Sequence, residues 1–150
     1  MSSNAILLAV RPQYAKKIFE GSKRVELRRV RPKQIKKGDL VMIYISSPIQ
    51  SIAGAFKVNE IVEKTLLELW DLVYDKAGIT QKEFYEYYQG IETGVGIFFD
   101  EIWSLREPIK IQTLQEQGID FQPPQGFRYA TANELASPYF AELVSSFEIL

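Results

Sequence analysis

The stretch EGSKRVELRRVRPKQIKKGD, from Glu20 to Asp39, contains the point at which a predicted helix gives way to a predicted strand. Gly21 lies just past an amphipathic segment, where a left-handed glycine commonly ends a helix. From Arg24 the pattern changes to a period of two, with Val25 and Leu27 on one face and charged residues on the other. This alternation predicts a half-buried strand with one charged face, followed by a basic loop that ends in a Gly-Asp turn.

The residues before this stretch predict a strand and a short helix. AILLAV, from Ala5 to Val10, is a continuous apolar run of strand length. The preceding residues carry no basic group, so we interpret the N-terminal segment as a first strand rather than a signal peptide. Pro12 is suited to the first position of a helix, and an apolar side with lysines opposite predicts that helix as far as Glu20.

The remainder of the chain predicts more strands with helices inserted between them. Apolar runs predict strands at 40–47, 51–64, 95–105 and 109–114. Three Thr-x-x-Glu capping boxes predict helices that begin near Thr65, Thr80 and Thr131, and adjacent prolines predict an irregular segment at 121–131. About six strands with peripheral helices indicate a single α+β domain over 1–150, mainly β, built on a small sheet or barrel.

The composition excludes several classes of active site. The chain has no cysteine and no histidine, which removes disulfides, thiolate and histidine metal sites, and the Ser-His-Asp triad. No Walker A or G-x-G-x-x-G sequence is present, because the glycines Gly94 and Gly96 precede an apolar strand rather than a helix. We therefore predict no cofactor and no metal. No apolar run approaches 18 residues, so we predict no membrane span and expect a cytoplasmic protein.

Positive charge is concentrated in one part of a nearly neutral chain. The formal net charge is -1, yet residues 11–37 hold 11 Lys/Arg and two acids, a net of +9, and the remainder carries -10. This asymmetry indicates a local anion-binding face. The alternative is a charged surface that serves only solubility.

Three charged residues of the opening stretch are candidates for one site. Glu26 and Arg28 share a predicted strand face, so they can pair or contact one polar ligand together. The amine of Lys23 reaches the same volume only if the strand begins after Lys23, because strict alternation places it opposite Glu26. The alternative is an exposed ion pair, which contributes only about 0–1 kcal/mol to stability.

The pattern Gly-x-Lys-x-x-Glu-x-Arg, from Gly21 to Arg28, resembles the signature of ASCH domains in the PUA-like superfamily. The segments KKGDLVMIYISSP, IAGAFKV and PPQGFRYAT extend the resemblance over most of the chain. It is most similar to the ASCH group labelled as predicted transcriptional regulators. The resemblance implies a compact β-barrel surrounded by helices, with a cleft beside the signature.

The resemblance also implies an activity on nucleic acid. PUA-like domains commonly bind RNA, some small ASCH proteins are amidohydrolases of N4-acetylcytidine that use a Lys, a Thr and a Glu, and others are described as ribonucleases. Lys23 matches that Lys, but the third residue after it is Glu26, which has no hydroxyl nucleophile. Water would therefore have to replace the threonine in any hydrolase mechanism here.

We predict that RNA or a nucleotide-like ligand binds at the cleft. Arginines and Lys23 supply donors, Glu26 accepts from an exocyclic amine, aromatic faces stack on bases and serines add small polar contacts. The candidate nucleic-acid-binding residues are Arg11, Lys23, Glu26, Arg28, Tyr44, Ser46, Ser47, Phe127 and Arg128. Tyr44 is equally compatible with a core position, because it lies in an apolar strand.

Two other functions remain open from the sequence. A hydrolase acting on a modified nucleoside or RNA would use Lys23 and Glu26 as catalytic groups. A protein-interaction domain or dimer would use the helices at 65–90, whose aromatic residues exceed the needs of one helix pair. The alternative for these aromatics is that they cover the open end of the barrel.

Overall fold

The computed structural model describes residues 5–148, which form eight strands and six helices. The strands are β1 (Ala5–Val10), β2 (Val25–Arg28), β3 (Leu40–Ile45), β4 (Ser51–Lys57), β5 (Glu60–Thr65), β6 (Thr93–Phe98), β7 (Ile102–Lys110) and β8 (Phe127–Tyr129). The helices are α1 (Pro12–Glu20), α2 (Leu66–Val73), α3 (Gln81–Tyr87), α4 (Ile111–Glu116), α5 (Ala132–Ala136) and α6 (Pro138–Glu148). The predicted α+β class is confirmed.

The strands lie in two sheets. The larger sheet has the order β7-β4-β3-β1-β8, in which only the β1–β3 pair is parallel. The smaller sheet has the order β2-β6-β5 and is antiparallel. Within residues 5–148 the two sheets do not close into one barrel, so the predicted barrel is replaced by two packed sheets.

Three apolar clusters divide the molecule into layers. One face of the larger sheet packs against α4 and α6. Its other face packs against α1 and the smaller sheet, where the rings of Phe56 and Phe99 stack with centroids 3.9 Å apart. The outer face of the smaller sheet is covered by α2 and α3. The space between the two sheets is therefore the central layer of the fold.

Two predicted strands are each divided by a crossing between the sheets. In the segment 51–64, Val58 N–H donates to Asp39 O, next to β3 of the larger sheet. Asn59 N–H instead donates to Phe98 O in β6 of the smaller sheet. The ladder partner thus changes between adjacent residues, and β4 and β5 belong to different sheets. The segment 95–105 divides in the same way into β6 and β7.

Two further predictions are wrong in part. The predicted strand at 109–114 holds only the end of β7, because α4 begins at Ile111. Pro108 lies inside β7, which is an edge strand and tolerates the missing N–H. The segment predicted to be irregular contains β8, which pairs antiparallel with β1. A three-residue strand whose partner lies far away in sequence carries little local signal.

The helices begin largely where the capping boxes predict. Thr80 and Thr131 form complete boxes, while the Thr65 hydroxyl accepts from Glu68 N–H without the reciprocal backbone bond. Of the aromatic residues at 65–90, Phe84 and Tyr88 are buried, Trp70 is half-buried, and Tyr74, Tyr85 and Tyr87 are exposed. Contact of these helices with a partner stays a prediction. Within the part described, no helix has the length and apolar character that crossing a bilayer requires.

Candidate nucleic-acid interface

Strand β2 carries charged side chains into the space between the sheets. Val25 and Leu27 pack outward against α2 and α3. The intervening Glu26 and Arg28 therefore project to the opposite face. Their cross-strand partners in β6 are Ile97 and Val95, which belong to the apolar cluster between the sheets. Because β2 is an edge strand, this charged pair lies at the rim of the central layer.

Arg28 connects the two sheets. Its Nη1 atom lies 3.7 Å from Glu26 Oε2, an ion pair slightly too long for a hydrogen bond. Its Cζ atom lies 5.1 Å from the centroid of the Phe127 ring, which belongs to β8 of the larger sheet. The side chains of Arg28 and Glu26 are 29% and 14% exposed. The pair is thus shielded from bulk water but still open at the rim.

Lys23 reaches this charged pair because β2 begins after it. Gly21 has a φ of 90° and ends α1. The chain enters β2 only at Val25, after Lys23, which is the condition for Lys23 to approach Glu26. Lys23 is 6% exposed, and its Nζ atom donates to Ala77 O at 2.9 Å. The same Nζ atom lies 5.9 Å from the centroid of the Tyr14 ring.

Burial opposes the charges of both Lys23 and Glu26. Desolvation lowers the pKa of the Lys23 amine, an effect that the Glu26 charge partly offsets and the Lys17 charge strengthens. Desolvation raises the pKa of the Glu26 carboxyl, and the charges of Lys23 and Arg28 partly offset it. Glu26 is therefore electrostatically coupled to both Lys23 and Arg28 in poorly solvated surroundings. We call the group formed by Lys23, Glu26, Arg28, Gly126 and Phe127 the Arg28 cleft.

Helix α3 fixes the backbone that carries Arg28. The Tyr88 hydroxyl lies 3.1 Å from Arg28 O and 3.3 Å from Val95 O, bridging β2 and β6. The Tyr87 hydroxyl donates to Leu27 O at 3.2 Å. In return, the Arg29 guanidinium donates to two carbonyls at the end of α3, those of Tyr87 and Gln89. These reciprocal bonds clamp the end of β2 to the end of α3.

Arg11, Ser46 and Ser47 lie at one end of the larger sheet. The parallel strands β1 and β3 both end there, and Ser46 N–H donates to Val10 O at 2.9 Å. Gly126 is at the same end, because its carbonyl accepts from Ala9 N–H at 2.9 Å. Arg11 and Ser47 are exposed, and Ser46 is half-buried. These residues flank the Arg28 cleft without contacting its charged groups.

Tyr44 and Arg128 lie on the other face of the larger sheet. Tyr44 is 3% exposed, its ring centroid is 5.9 Å from that of Phe121, and burial raises the pKa of its hydroxyl. Arg128 alternates with Phe127 along β8, so it points away from the cleft. Its guanidinium lies 5.1 Å from the Phe121 centroid and forms two bonds to Glu134, at 2.7 and 2.8 Å. The sheet therefore separates these two candidates from Lys23, Glu26 and Arg28.

The sequence reasoning did not single out three residues that build the site. Tyr14 faces Lys23, Gly126 makes room for Arg28, and Tyr88 holds the Arg28 backbone. A Cβ atom at Gly126 would lie 3.1 Å from Arg28 Nη2. The glycine within PPQG was a visible signal. Tyr88 and Arg28 are 60 residues apart, and Tyr14 faces Lys23 only because the chain turns at Gly21.

Comparison with known proteins identifies the family. A family model described as the ASCH domain matches residues 8–114. The chain belongs to the ASCH family. The matched range contains Lys23, Glu26 and Arg28, so one wall of the Arg28 cleft is formed by the ASCH domain itself.

The ASCH relatives include a curated protein of Zymomonas mobilis, named an ASCH domain-containing ribonuclease. This chain is 27% identical to it over 128 residues, which cover 85% of both proteins. A crystal structure of a tyrosine-to-phenylalanine variant of ASCH from that organism is 25% identical, with a TM-score of 0.80 over 95% of this chain and 97% of that one. A serine-to-alanine variant is 26% identical, with a TM-score of 0.81 and coverage of 95% and 96%. The two-sheet fold is thus similar to that of solved ASCH structures.

The described ASCH residues form no metal centre from acidic side chains. Within 5–148, no three Asp or Glu side chains are grouped so that they could hold a metal ion.

Proposed function

We propose that this ASCH domain binds RNA, with one nucleotide in the Arg28 cleft. The observation that carries the proposal is the position of the Arg28 guanidinium, which lies over Phe127 and beside Glu26 at a partly open rim. A guanidinium in this position presents donors and a planar face at once. Single-stranded RNA is commonly recognised through these two features, hydrogen bonds to base edges and stacking on aromatic or arginine planes.

Each group of the cleft has a complementary partner on a nucleotide. The Arg28 guanidinium donates to a phosphate or a base carbonyl. The Glu26 carboxylate accepts from an exocyclic amine, such as that of cytosine or adenine. A base stacks on the open face of the guanidinium, while Phe127 supports its opposite face.

Two other observations support RNA as the partner. The segment 11–37 carries a net of +9, which favours a polyanion over a neutral nucleoside. The similar Zymomonas mobilis protein is named a ribonuclease, which is an RNA-directed activity.

The test is RNA binding by wild type, Arg28→Ala and Arg106→Ala, with labelled single-stranded and structured RNA at two salt concentrations. Arg106 is exposed on β7 and serves as the matched loss of one arginine. We expect Arg28→Ala to weaken binding by about 10-fold or more, because stacking and bidentate contacts each contribute about 1–3 kcal/mol. Arg106→Ala should bind like wild type. Absence of wild-type binding at low salt would refute the proposal.

We propose hydrolysis of RNA or of a modified nucleoside as a second candidate function. It is favoured by one observation, the buried Lys23 amine whose pKa is lowered by desolvation beside Glu26. A lysine with a lowered pKa gives up its proton more readily and can serve as a general base. With no threonine at the third position after Lys23, water is the nucleophile. One of Lys23 and Glu26 removes a proton from the water as its oxygen bonds to the reacting centre, and the other, in its protonated form, donates a proton to the leaving group as the scissile bond breaks.

Cleavage assays on RNA and on N4-acetylcytidine decide between binding alone and hydrolysis. We expect a hydrolase to lose turnover in both Lys23→Ala and Glu26→Ala, with folding checked by circular dichroism. Turnover that persists in both variants, or no turnover by wild type, contradicts the second candidate and leaves RNA binding as the function.

A further inference from the structure

Three surface cavities meet at the point where the chain crosses between the sheets. Their volumes are about 510, 410 and 520 Å³, and Asn59 lines all three. Asn59 follows β4 and precedes β5, so it occupies the crossing itself. The cavities adjoin one another around Asn59, and together we call them the Asn59 groove. None of the three is lined by Lys23, Glu26 or Arg28.

Cationic side chains line two of the three cavities of the Asn59 groove. One is lined by Arg31, Lys36 and Lys37, and another by Arg24, Lys64 and Lys76. The acidic groups are fewer: Glu60 lines both of these cavities, Asp100 lines the second of them and the remaining cavity, and Glu101 lines the remaining cavity. The lining of the groove therefore carries a net positive charge, although the formal net charge of the whole protein is -1.

These cations retain donors for an anion. Lys36 pairs with Asp39 at 2.8 Å and Lys76 pairs with Asp75 at 3.1 Å, and each ammonium carries three donors. Arg31 donates from Nη2 to Ile35 O and keeps further N–H groups. Lys37 and Lys64 form no ion pair within the part of the chain that the structure describes.

The basic loop at 29–39 connects the Asn59 groove to the Arg28 cleft. It leaves β2 at Arg28, and Gln34 N–H donates to the hydroxyl of Tyr129, which shares its face of β8 with Phe127. The loop then reaches the groove at Lys36, and Gly38 N–H donates to Val58 O beside Asn59. Lys36 is the eighth residue after Arg28, so the backbones of the two sites lie within about 27 Å of each other.

We propose that the Asn59 groove binds the sugar-phosphate backbone of the RNA strand whose nucleotide occupies the Arg28 cleft. The inference rests on the proposed RNA binding and extends it to a second contact site. The cations are spread along the groove instead of converging on one point, which matches a repeating phosphate chain better than a single anion. The groove adds affinity without sequence preference, because its contacts are to phosphates.

The test compares two double variants that each remove two positive charges. Lys37→Gln with Lys64→Gln removes one cation from each of the two cationic cavities, and neither residue contributes an ion pair to the described part of the fold. Lys82→Gln with Arg106→Gln is the matched control, because both residues are exposed, lie outside the basic segment 11–37 and line none of the three cavities. Each protein is titrated with a labelled trinucleotide and with single-stranded RNA of about 12 nucleotides, a length typical of such sites.

We expect wild type to bind the longer RNA more tightly than the trinucleotide. The groove variant should lose about 10-fold in affinity for the longer RNA, and its slope of log affinity against log salt should fall by about 1.4, since each lost phosphate contact removes about 0.7. Its affinity for the trinucleotide should not change. The control variant should keep the wild-type slope.

The outcomes separate the groove from the cleft. Equal losses in the two double variants, or affinity that does not rise with RNA length while still requiring Arg28, would overturn the groove and leave the cleft in place. Absence of wild-type binding to either RNA would overturn both.

Discussion

The guanidinium of Arg28 lies over the ring of Phe127, with Cζ 5.1 Å from the ring centroid, although the two residues belong to different sheets. A cation–π contact contributes about 0.5–1 kcal/mol at an exposed site and about 2 kcal/mol when desolvated. Gly126 leaves room for this approach, because a Cβ atom there would lie 3.1 Å from Arg28 Nη2. A glycine that precedes β8 of the larger sheet thus affects the position of a side chain in the smaller one.

Gly126→Ala should therefore weaken RNA binding. Gly126 has a φ of 128°, and an alanine there strains the backbone and displaces Arg28 from the Phe127 ring. We expect a loss of at least about 5-fold in affinity, equal to about 1 kcal/mol of the contact. Fluorescence anisotropy measures the affinity, and urea unfolding measures the accompanying loss of stability.

Gly118→Ala is the control for backbone strain. Gly118 has a φ of 79°, but a Cβ atom added there would have no neighbour within 4 Å among the described residues, and Gly118 is remote from Arg28 in sequence. The substitution should lower the free energy of unfolding by about 1 kcal/mol and leave RNA affinity unchanged. If both variants lose affinity equally, the displacement of Arg28 is not the cause.

The pH dependence of the free energy of unfolding should reflect the burial of the Glu26 carboxyl. Because burial raises the pKa of Glu26 above the ordinary value of 4.5, the folded state binds more protons than the unfolded state just above that pH. The contribution of this group to the free energy of unfolding therefore falls as pH rises through its folded pKa. Glu26→Gln lacks the effect, so its stability relative to wild type should increase as pH rises from about 4.5, measured by urea unfolding.

Glu83→Gln provides a control of opposite sign. A backbone hydrogen bond from Thr80 lowers the pKa of Glu83, so this carboxylate stabilises the folded state above pH 4.5 and loses that effect as pH falls through its folded pKa. Relative to wild type, Glu83→Gln should become less stable as pH rises toward 4.5 and then stay constant. Parallel profiles for the two variants would contradict the burial of Glu26.

Tyr88→Phe should destabilise the protein by about 1 kcal/mol. The Tyr88 hydroxyl is buried against Arg28 O and Val95 O, so its removal leaves carbonyl groups without their donor. Tyr85→Phe is the matched change, because Tyr85 is 37% exposed, and it should alter the free energy of unfolding by less than about 0.5 kcal/mol. Urea midpoints measure both, and equal midpoints would show that the hydroxyl does not clamp β2 to β6.

Arg128→Gln should reduce stability without reducing RNA affinity. The guanidinium already binds Glu134, which is 2% exposed, and the carbonyl of Gln122. Its loss leaves a buried carboxylate without its cationic partner, at a cost of about 2 kcal/mol. Arg106→Gln serves as the exposed control. A variant that is fully stable but binds RNA weakly would restore Arg128 to the interface.

Local patterns predicted the parts of the fold that depend on neighbouring residues. The change of period at Arg24 predicted β2, the left-handed Gly21 predicted the end of α1, and the Thr-x-x-Glu boxes at Thr80 and Thr131 predicted two helix starts. Each of these signals is a hydrogen bond or a backbone conformation formed within a few residues. The charged face of β2 followed from the same alternation.

Those local patterns could not predict contacts between residues that are distant in sequence. The exchange of ladder partners between Val58 and Asn59 leaves no mark on an apolar run, so β4 and β5 were predicted as one strand. The face of the sheet on which Tyr44 lies is set by packing against Phe121, which follows 77 residues later in the chain. For the same reason, the sequence suggested both Phe127 and Arg128 for one site, although adjacent strand residues point to opposite faces.

The Arg28 cleft has one wall in each sheet, so its width depends on the distance between the two sheets. The stacked rings of Phe56 and Phe99 set that separation from inside the core. A ligand bound between the two walls would stabilise the folded state, and the melting temperature would rise with the logarithm of the ligand concentration. Ligand binding at the rim would then be adjustable from the interior, by substituting these two buried phenylalanines.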